Sequence, residues 1–113
     1  MTMKICLMIN ASDQWRESSQ YAHALAQSIY SNGHQINTVF FYGQAVKVIQ
    51  SPKHLKQWQQ LQRSTHSTLQ LCSTLIEKHQ LDSLANTTEG FEVVSLGSLV
   101  QAMEAADKTV ELN

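Results

Sequence analysis

Charge is scarce in this chain, and neither sign prevails. Of its 113 residues 15 % are charged, with eight Lys+Arg against nine Asp+Glu. A net charge of −1 leaves no basic footprint for a nucleic-acid backbone or an anionic membrane, so direct binding to either is not expected. Long hydrophobic runs are lacking too. Ile5 to Ile9 is a run of five apolar residues, against the roughly 18 of a membrane span. It passes to polar Asn10, Ser12 and Asp13 without a small-residue cleavage site, so it does not read as a signal peptide. The expectation is a soluble, cytoplasmic protein.

Cysteine, glycine and proline are sparse as well: two, four and one. The two cysteines form no CxxC. His23, His34, His54, His66 and His79 are dispersed without metal-ligand spacing, so no metal site is expected. A structural Cys6–Cys72 disulfide is not expected in a reducing compartment. The first strand-to-helix turn, Asn10-Ala11-Ser12-Asp13-Gln14, contains no glycine. That excludes a GxGxxG or Walker loop there and leaves a small-ligand phosphate site, to which Ser12 would contribute, a weak reading. GxSxG and HExxH are also missing. No cofactor is expected.

What is present is a regular alternation of strand and helix signals over residues 1–113, read as one domain. Lys4 to Asn10 is a nearly continuous apolar run, as in a strand covered on both faces. Ser12 and Asp13 offer N-caps to a helix whose buried face holds Tyr21, Ala22, Leu25, Ala26 and Ile29, and Gly33 stops it. Gln35 to Tyr42 reads as a second strand, Ala45 to Gln50 as a short helical turn, and Pro52 as the opening of another helix. Thr65 to Leu71 reads as a third strand ending at Cys72, and Ser73 to Lys78 as a short helix. Leu81 to Gly90 reads as irregular and Phe91 to Val94 as a fourth strand. A helix from Ser98 to Ala106 follows, with Leu99, Val100, Met103 and Ala106 on one face, and then a fifth strand, Lys108 to Leu112. This order implies a three-layer α/β domain with a mostly parallel sheet of about five strands.

Cys72 stands out within that frame. It closes the apolar stretch Thr68-Leu69-Gln70-Leu71-Cys72 and opens a helix. A helix N-terminus carries partial positive charge and unpaired N–H groups, a setting in which thiols ionise more readily. The carboxyl end of a strand is also where open α/β sheets place ligands. The alternative is a buried structural cysteine, the reading preferred for Cys6. His79 follows closely enough to influence Cys72, whereas Lys78 reads as a charge complementing the end of the short helix. Trp15 reads as core or interface, and Trp58, in a Gln-rich segment, as partly exposed at a subunit contact. Scarce charge is consistent with a surface partly covered by other subunits. No Cys-His-Asn hydrolase spacing is visible, whereas a thiol that only accepts and passes on sulfur needs little more than exposure and partial ionisation.

Three ordered blocks carry a family resemblance. They are Asn32-Gly33-His34 with Val39-Phe40-Phe41-Tyr42; Trp58-Gln59-Gln60-Leu61 with Leu69-Gln70-Leu71-Cys72; and Gly90-Phe91 with Leu96-Gly97-Ser98-Leu99 and Asp107-Lys108-Thr109-Val110. With them the chain resembles the DsrE-like sulfur-carrier family, nearest its TusD-type branch. The resemblance implies a flavodoxin-like fold and a sulfurtransferase that carries persulfide sulfur on Cys72, serving tRNA 2-thiouridine formation. It further implies TusB- and TusC-like partner subunits or self-association, a TusA-like sulfur donor and a TusE-like acceptor. The alternatives are a non-catalytic structural subunit of a DsrE-type complex, or a carrier in sulfur oxidation. The segment between Tyr42 and Trp58 is shorter than is usual in that branch, and Gly43 to Ser51 is the expected lip of a Cys72 pocket.

Overall fold

The computed structural model describes residues 2–113. Its strands are β1 (Lys4–Ala11), β2 (Gln35–Gly43), β3 (Thr68–Cys72), β4 (Phe91–Val94) and β5 (Lys108–Leu112). The helices are α1 (Trp15–Ser31), α2 (Pro52–Thr65), α3 (Ser73–Lys78), α4 (Asp82–Thr87) and α5 (Leu96–Ala105), with a 3₁₀ helix at Gln44–Gln50. The strands form one sheet in the order β4-β3-β2-β1-β5, and every pairing is parallel.

Crossover handedness explains the layering. From β1 to β4 the chain steps across the sheet in one direction, so right-handed connections lay α1, α2, α3 and α4 on one face. The step from β4 to β5 runs back across the sheet, so the same handedness sends α5 to the opposite face. Strand alternation divides the core to match. Ile5, Leu7, Ile9, Val39, Phe41, Leu69 and Leu71 join the large cluster under the four helices. Cys6, Phe40 and Cys72 join a small one with Leu99 and Ala102 of α5. A bulge between Ile5 and Cys6 makes Asn37 the extra residue of β2, which lets Ile36 and Val39 face the same core. The freed Asn37 side chain donates from Nδ2 to the Ala102 carbonyl, tying α5 to the sheet at 3.3 Å.

Trp58 organises the thick face. It is wholly buried, donates from Nε1 to Ser19 Oγ at 2.8 Å, and meets the rings of Phe41 and His23 edge-on at 5.1 and 5.3 Å. Each such aromatic pair contributes about 0.5–1.5 kcal/mol beyond area burial. The exposure expected for Trp58 is therefore corrected: its ring is the keystone between α1, α2 and the sheet.

Several local differences have clear causes. Helix α1 starts at Trp15 with Gln14 as its uncapped neighbour; neither Ser12 nor Asp13 caps it. Tyr21 lies on the solvent side while Trp15, Ser19, Ala22 and Ala26 face inward. Helix α2 continues through Thr65, whose Oγ1 bonds back to the Leu61 carbonyl at 2.8 Å, and it ends at His66 in the left-handed region. The third strand accordingly begins at Thr68. Leu81 to Gly90 contains α4, anchored by Leu81 and Ala85 and closed by Thr87 and Thr88 hydroxyls on the Leu84 carbonyl. Two apolar anchors give too little periodicity to read as a helix.

Gly43 ends β2 with φ +63°, opposite Ala11. A Cβ there would fall on the Ala11 carbonyl oxygen and lie 2.9 Å from Asn10 Oδ1. Backbone strain of this kind costs about 1–3 kcal/mol before the clash is counted. Gly43→Ala should therefore lower stability by about 2 kcal/mol or more in a urea titration; an unchanged midpoint would contradict the strain at this position.

Candidate active site at the end of the third strand

Cys72 is the last residue of β3 and the N-cap of α3, with φ −65° and ψ 120°. It pairs with Val94, the last residue of β4. From these two neighbouring strand ends the chain leaves in opposite directions: β3 feeds α3 on the thick face, β4 feeds α5 on the thin one. Divergence of this kind at the carboxyl edge is the position at which open α/β sheets bind their ligands. The sequence reading placed Cys72 at a strand end; that this strand end is the switch point follows only from the strand order.

The strand register fixes the thiol's neighbours. Asn10 pairs with Tyr42, and Phe41 with Leu71, so Asn10, Tyr42, Cys72 and Val94 form one row across the thin face. Asn10 and Tyr42 were not singled out from sequence. Strand parity would have found them, once the pairing β1-β2-β3 was known. The cluster containing Cys72 includes Phe40 and Leu99, with Tyr42, Leu75 and Val94 packed against it. Only 1 % of Cys72 is exposed. In this conformation the thiol is covered, and a reaction with another protein requires that cover to open.

The other expectations sort by distance from this point. Cys6 shares the small cluster but lies on β1, level with Thr38 and Thr68. It is two strands across and four residues along from Cys72, roughly 16 Å. A disulfide needs Cα atoms within about 7 Å, and both thiols are free. Burial pushes the Cys6 thiol up to about 11 from its ordinary 9.0. His79 caps the far end of α3, and its pKa is lowered by burial and then by Lys47 and Lys78. The segment expected to form a lip is the 3₁₀ helix instead. Its Ala45, Val46, Val48 and Ile49 fill the large cluster on the face opposite the thiol. His54, on α2, is buried against Trp15, with ring centroids 5.4 Å apart, and its pKa is lowered by burial and by Lys53, Arg16 and His23. Among the described residues no cluster of His, Cys, Asp and Glu could hold a metal ion, and no helix is long and apolar enough to cross a membrane.

Comparison with known proteins adds to this geometry. A family model described as the DsrE/DsrF-like family matches residues 3–112. The sulfurtransferase TusD of Photorhabdus laumondii is 27 % identical, covering 97 % of this chain and 98 % of that protein. The TusD homolog of Vibrio vulnificus is 29 % identical at the same coverage. Each alignment runs over 128 residues, more than the 113 here, so this chain is the shorter. Among solved structures, the ychN protein of E. coli superposes with a TM-score of 0.67 at 19 % identity, over 98 % of this chain and 99 % of that one. A conserved protein of unknown function from Bacteroides thetaiotaomicron gives 0.66 at 14 % identity, over 96 % and 93 %. These two likenesses concern the fold.

The raised pKa of Cys6 sets a pH dependence. An unfolded thiol loses its proton from about pH 9, whereas the folded one keeps it to about 11. Stability is thus complete below pH 9 and falls as pH rises through this window, by about 2–3 kcal/mol for a two-unit shift. Chemical denaturation at pH 8 and pH 11 should show a loss that is smaller by this amount in Cys6→Ala. Equal losses in both proteins would contradict it.

Proposed function

The chain belongs to the DsrE/DsrF-like family, and from that premise we propose that it is a sulfur-relay protein carrying persulfide sulfur on Cys72. The observation that carries this reading is the location of Cys72 at the switch point of the sheet, in a chain whose matched relatives are sulfurtransferases TusD. The transfer needs no cofactor. The Cys72 thiolate attacks the outer sulfur of a donor persulfide. The donor's S–S bond breaks, its thiolate leaves and takes up a proton, and Cys72–S–SH forms. An acceptor thiolate then attacks the same outer sulfur and Cys72 departs as thiolate, so no net oxidation occurs. A TusA-like protein fits the donor's role and a TusE-like protein the acceptor's. TusB- and TusC-like subunits are the partners proposed with them, and tRNA 2-thiouridine the end use.

The burial of Cys72 favours a second reading: a structural subunit whose thiol never reacts. The two readings part in a reconstituted relay containing a cysteine desulfurase, a TusA-like donor, this chain and a TusE-like acceptor. Cys72→Ser should still fold, because serine suits the N-cap position that residue 72 holds on α3, and should deliver no sulfur to the acceptor. Delivery undiminished in Cys72→Ser would establish the structural reading in its place.

A further inference from the structure

A thiol that trades sulfur with other proteins cannot stay covered, so something over Cys72 has to move. Five side chains share its surroundings: Phe40, Leu99, Leu75, Val94 and Tyr42. Four of them are fixed by what lies behind them. Phe40 is wholly buried in the central strand of the sheet. Leu99 and Ala102 are the residues α5 buries against the sheet, and the bond from Asn37 to the Ala102 carbonyl ties that helix down. Val100 and Met103, which the sequence pattern had placed on the same side, are 52 and 41 % exposed and cover nothing. Val94 pairs with Cys72 in the sheet, and its β-branched side chain is stiff about χ1. Leu75 packs against both clusters, and its helix is anchored in the main core by Ile76.

Tyr42 is different. It is half-buried, packs against the small cluster alone, and is the last residue of β2 before Gly43. The register sets it level with Cys72 on the neighbouring strand, about 4.8 Å away along the row. On its other side the same row holds Asn10. The Asn10 carboxamide leans toward the end of β2: its Oδ1 lies over Gly43, where an added Cβ would stand 2.9 Å from it. Tyr42 therefore stands between an apolar thiol site and a polar amide. In a strand both χ1 near 180° and χ1 near −60° are common, so the backbone admits two directions for the ring.

We infer that Tyr42 is the movable cover of Cys72: in one rotamer its ring lies against the thiol, and in the other it turns to Asn10 and bares it. The phenol gains the Asn10 carboxamide as a hydrogen-bond partner in the open position, and the ring gains apolar contact in the closed one. Turning a half-exposed side chain is a fast event, whereas lifting α5 would be a collective one. The second sulfur of a persulfide extends about 2 Å beyond the first, and a close-packed cluster has no void for it. Loading Cys72 thus pushes the ring toward Asn10. The purpose of the cover rests on the sulfur-carrier reading of Cys72, whereas its existence is tested without any sulfur transfer.

The test is the rate at which iodoacetamide alkylates each cysteine of the purified full chain, followed by peptide mass spectrometry. Reactivity scales with the open fraction, so Tyr42→Ala should speed alkylation of Cys72 by about tenfold or more. Tyr42→Phe and Asn10→Ala should each slow it, by about threefold, because both remove the partner of the open position. Their combination should be no slower than either alone, since they break the same contact. Each ratio to the native rate should be equal at about pH 7 and about pH 9, because access and not the thiol's ionisation is altered. Cys6, wholly buried in the same cluster, should stay unreactive throughout and so reports any general loosening. No acceleration in Tyr42→Ala, acceleration of Cys6 alongside Cys72, or a Tyr42→Phe or Asn10→Ala rate at or above the native one would each overturn the inference. None of these outcomes bears on whether Cys72 accepts sulfur, and a chain that fails to load would leave the alkylation rates as they are.

Discussion

The handedness of parallel crossovers is the constraint on which the rest of this structure depends. Right-twisted strands joined by right-handed helices leave little choice of side once the strand order is set. Three steps in one direction build the thick face. The single reversed step, from β4 to β5, places α5 alone on the other face and makes the ends of β3 and β4 diverge. Cys72 stands at that divergence. Its position is thus a consequence of topology as much as of the residues beside it.

The unequal cover of the two faces follows from the same reversal. The thick face gathers Trp58, Phe41, Phe91 and the 3₁₀ helix into the main core. The thin face relies on α5, held by Leu99, Ala102 and the bond from bulged Asn37. The thiol lies under the lighter cover, among residues of a small cluster rather than in the main core. That arrangement reconciles a buried thiol with a proposed exchange of sulfur between proteins. It also leaves α5 with an apolar outer surface next to a lightly covered sheet.

Much of this was legible in the sequence, and the exceptions share a physical cause. All five strands and the short helix behind Cys72 were read close to their observed bounds, because continuous apolar runs ended by polar or glycine residues mark buried parallel strands. The direction in which helices turn their faces was less legible. Val100 and Met103 on α5 and Tyr21 on α1 have the spacing of a core face, but the sheet takes up Leu99 and Ala102, and Trp15 and Ala22, instead. Trp58 was misplaced since a Gln-rich neighbourhood says nothing of a partner such as Ser19, 39 residues earlier in the chain. The switch point itself cannot be read from any local pattern, because it depends on strand order.

The central claim is that the chemistry of this protein resides on Cys72 and not on the other thiol of the same cluster. Its most direct test is to locate the sulfur. The purified chain is loaded from a cysteine desulfurase and a TusA-like carrier, trapped with an alkylating agent, and mapped by peptide mass spectrometry. The account predicts one added sulfur atom on the peptide containing Cys72 and none on the peptide containing Cys6. Sulfur on Cys6, or on neither peptide while the donor is fully loaded, would contradict it.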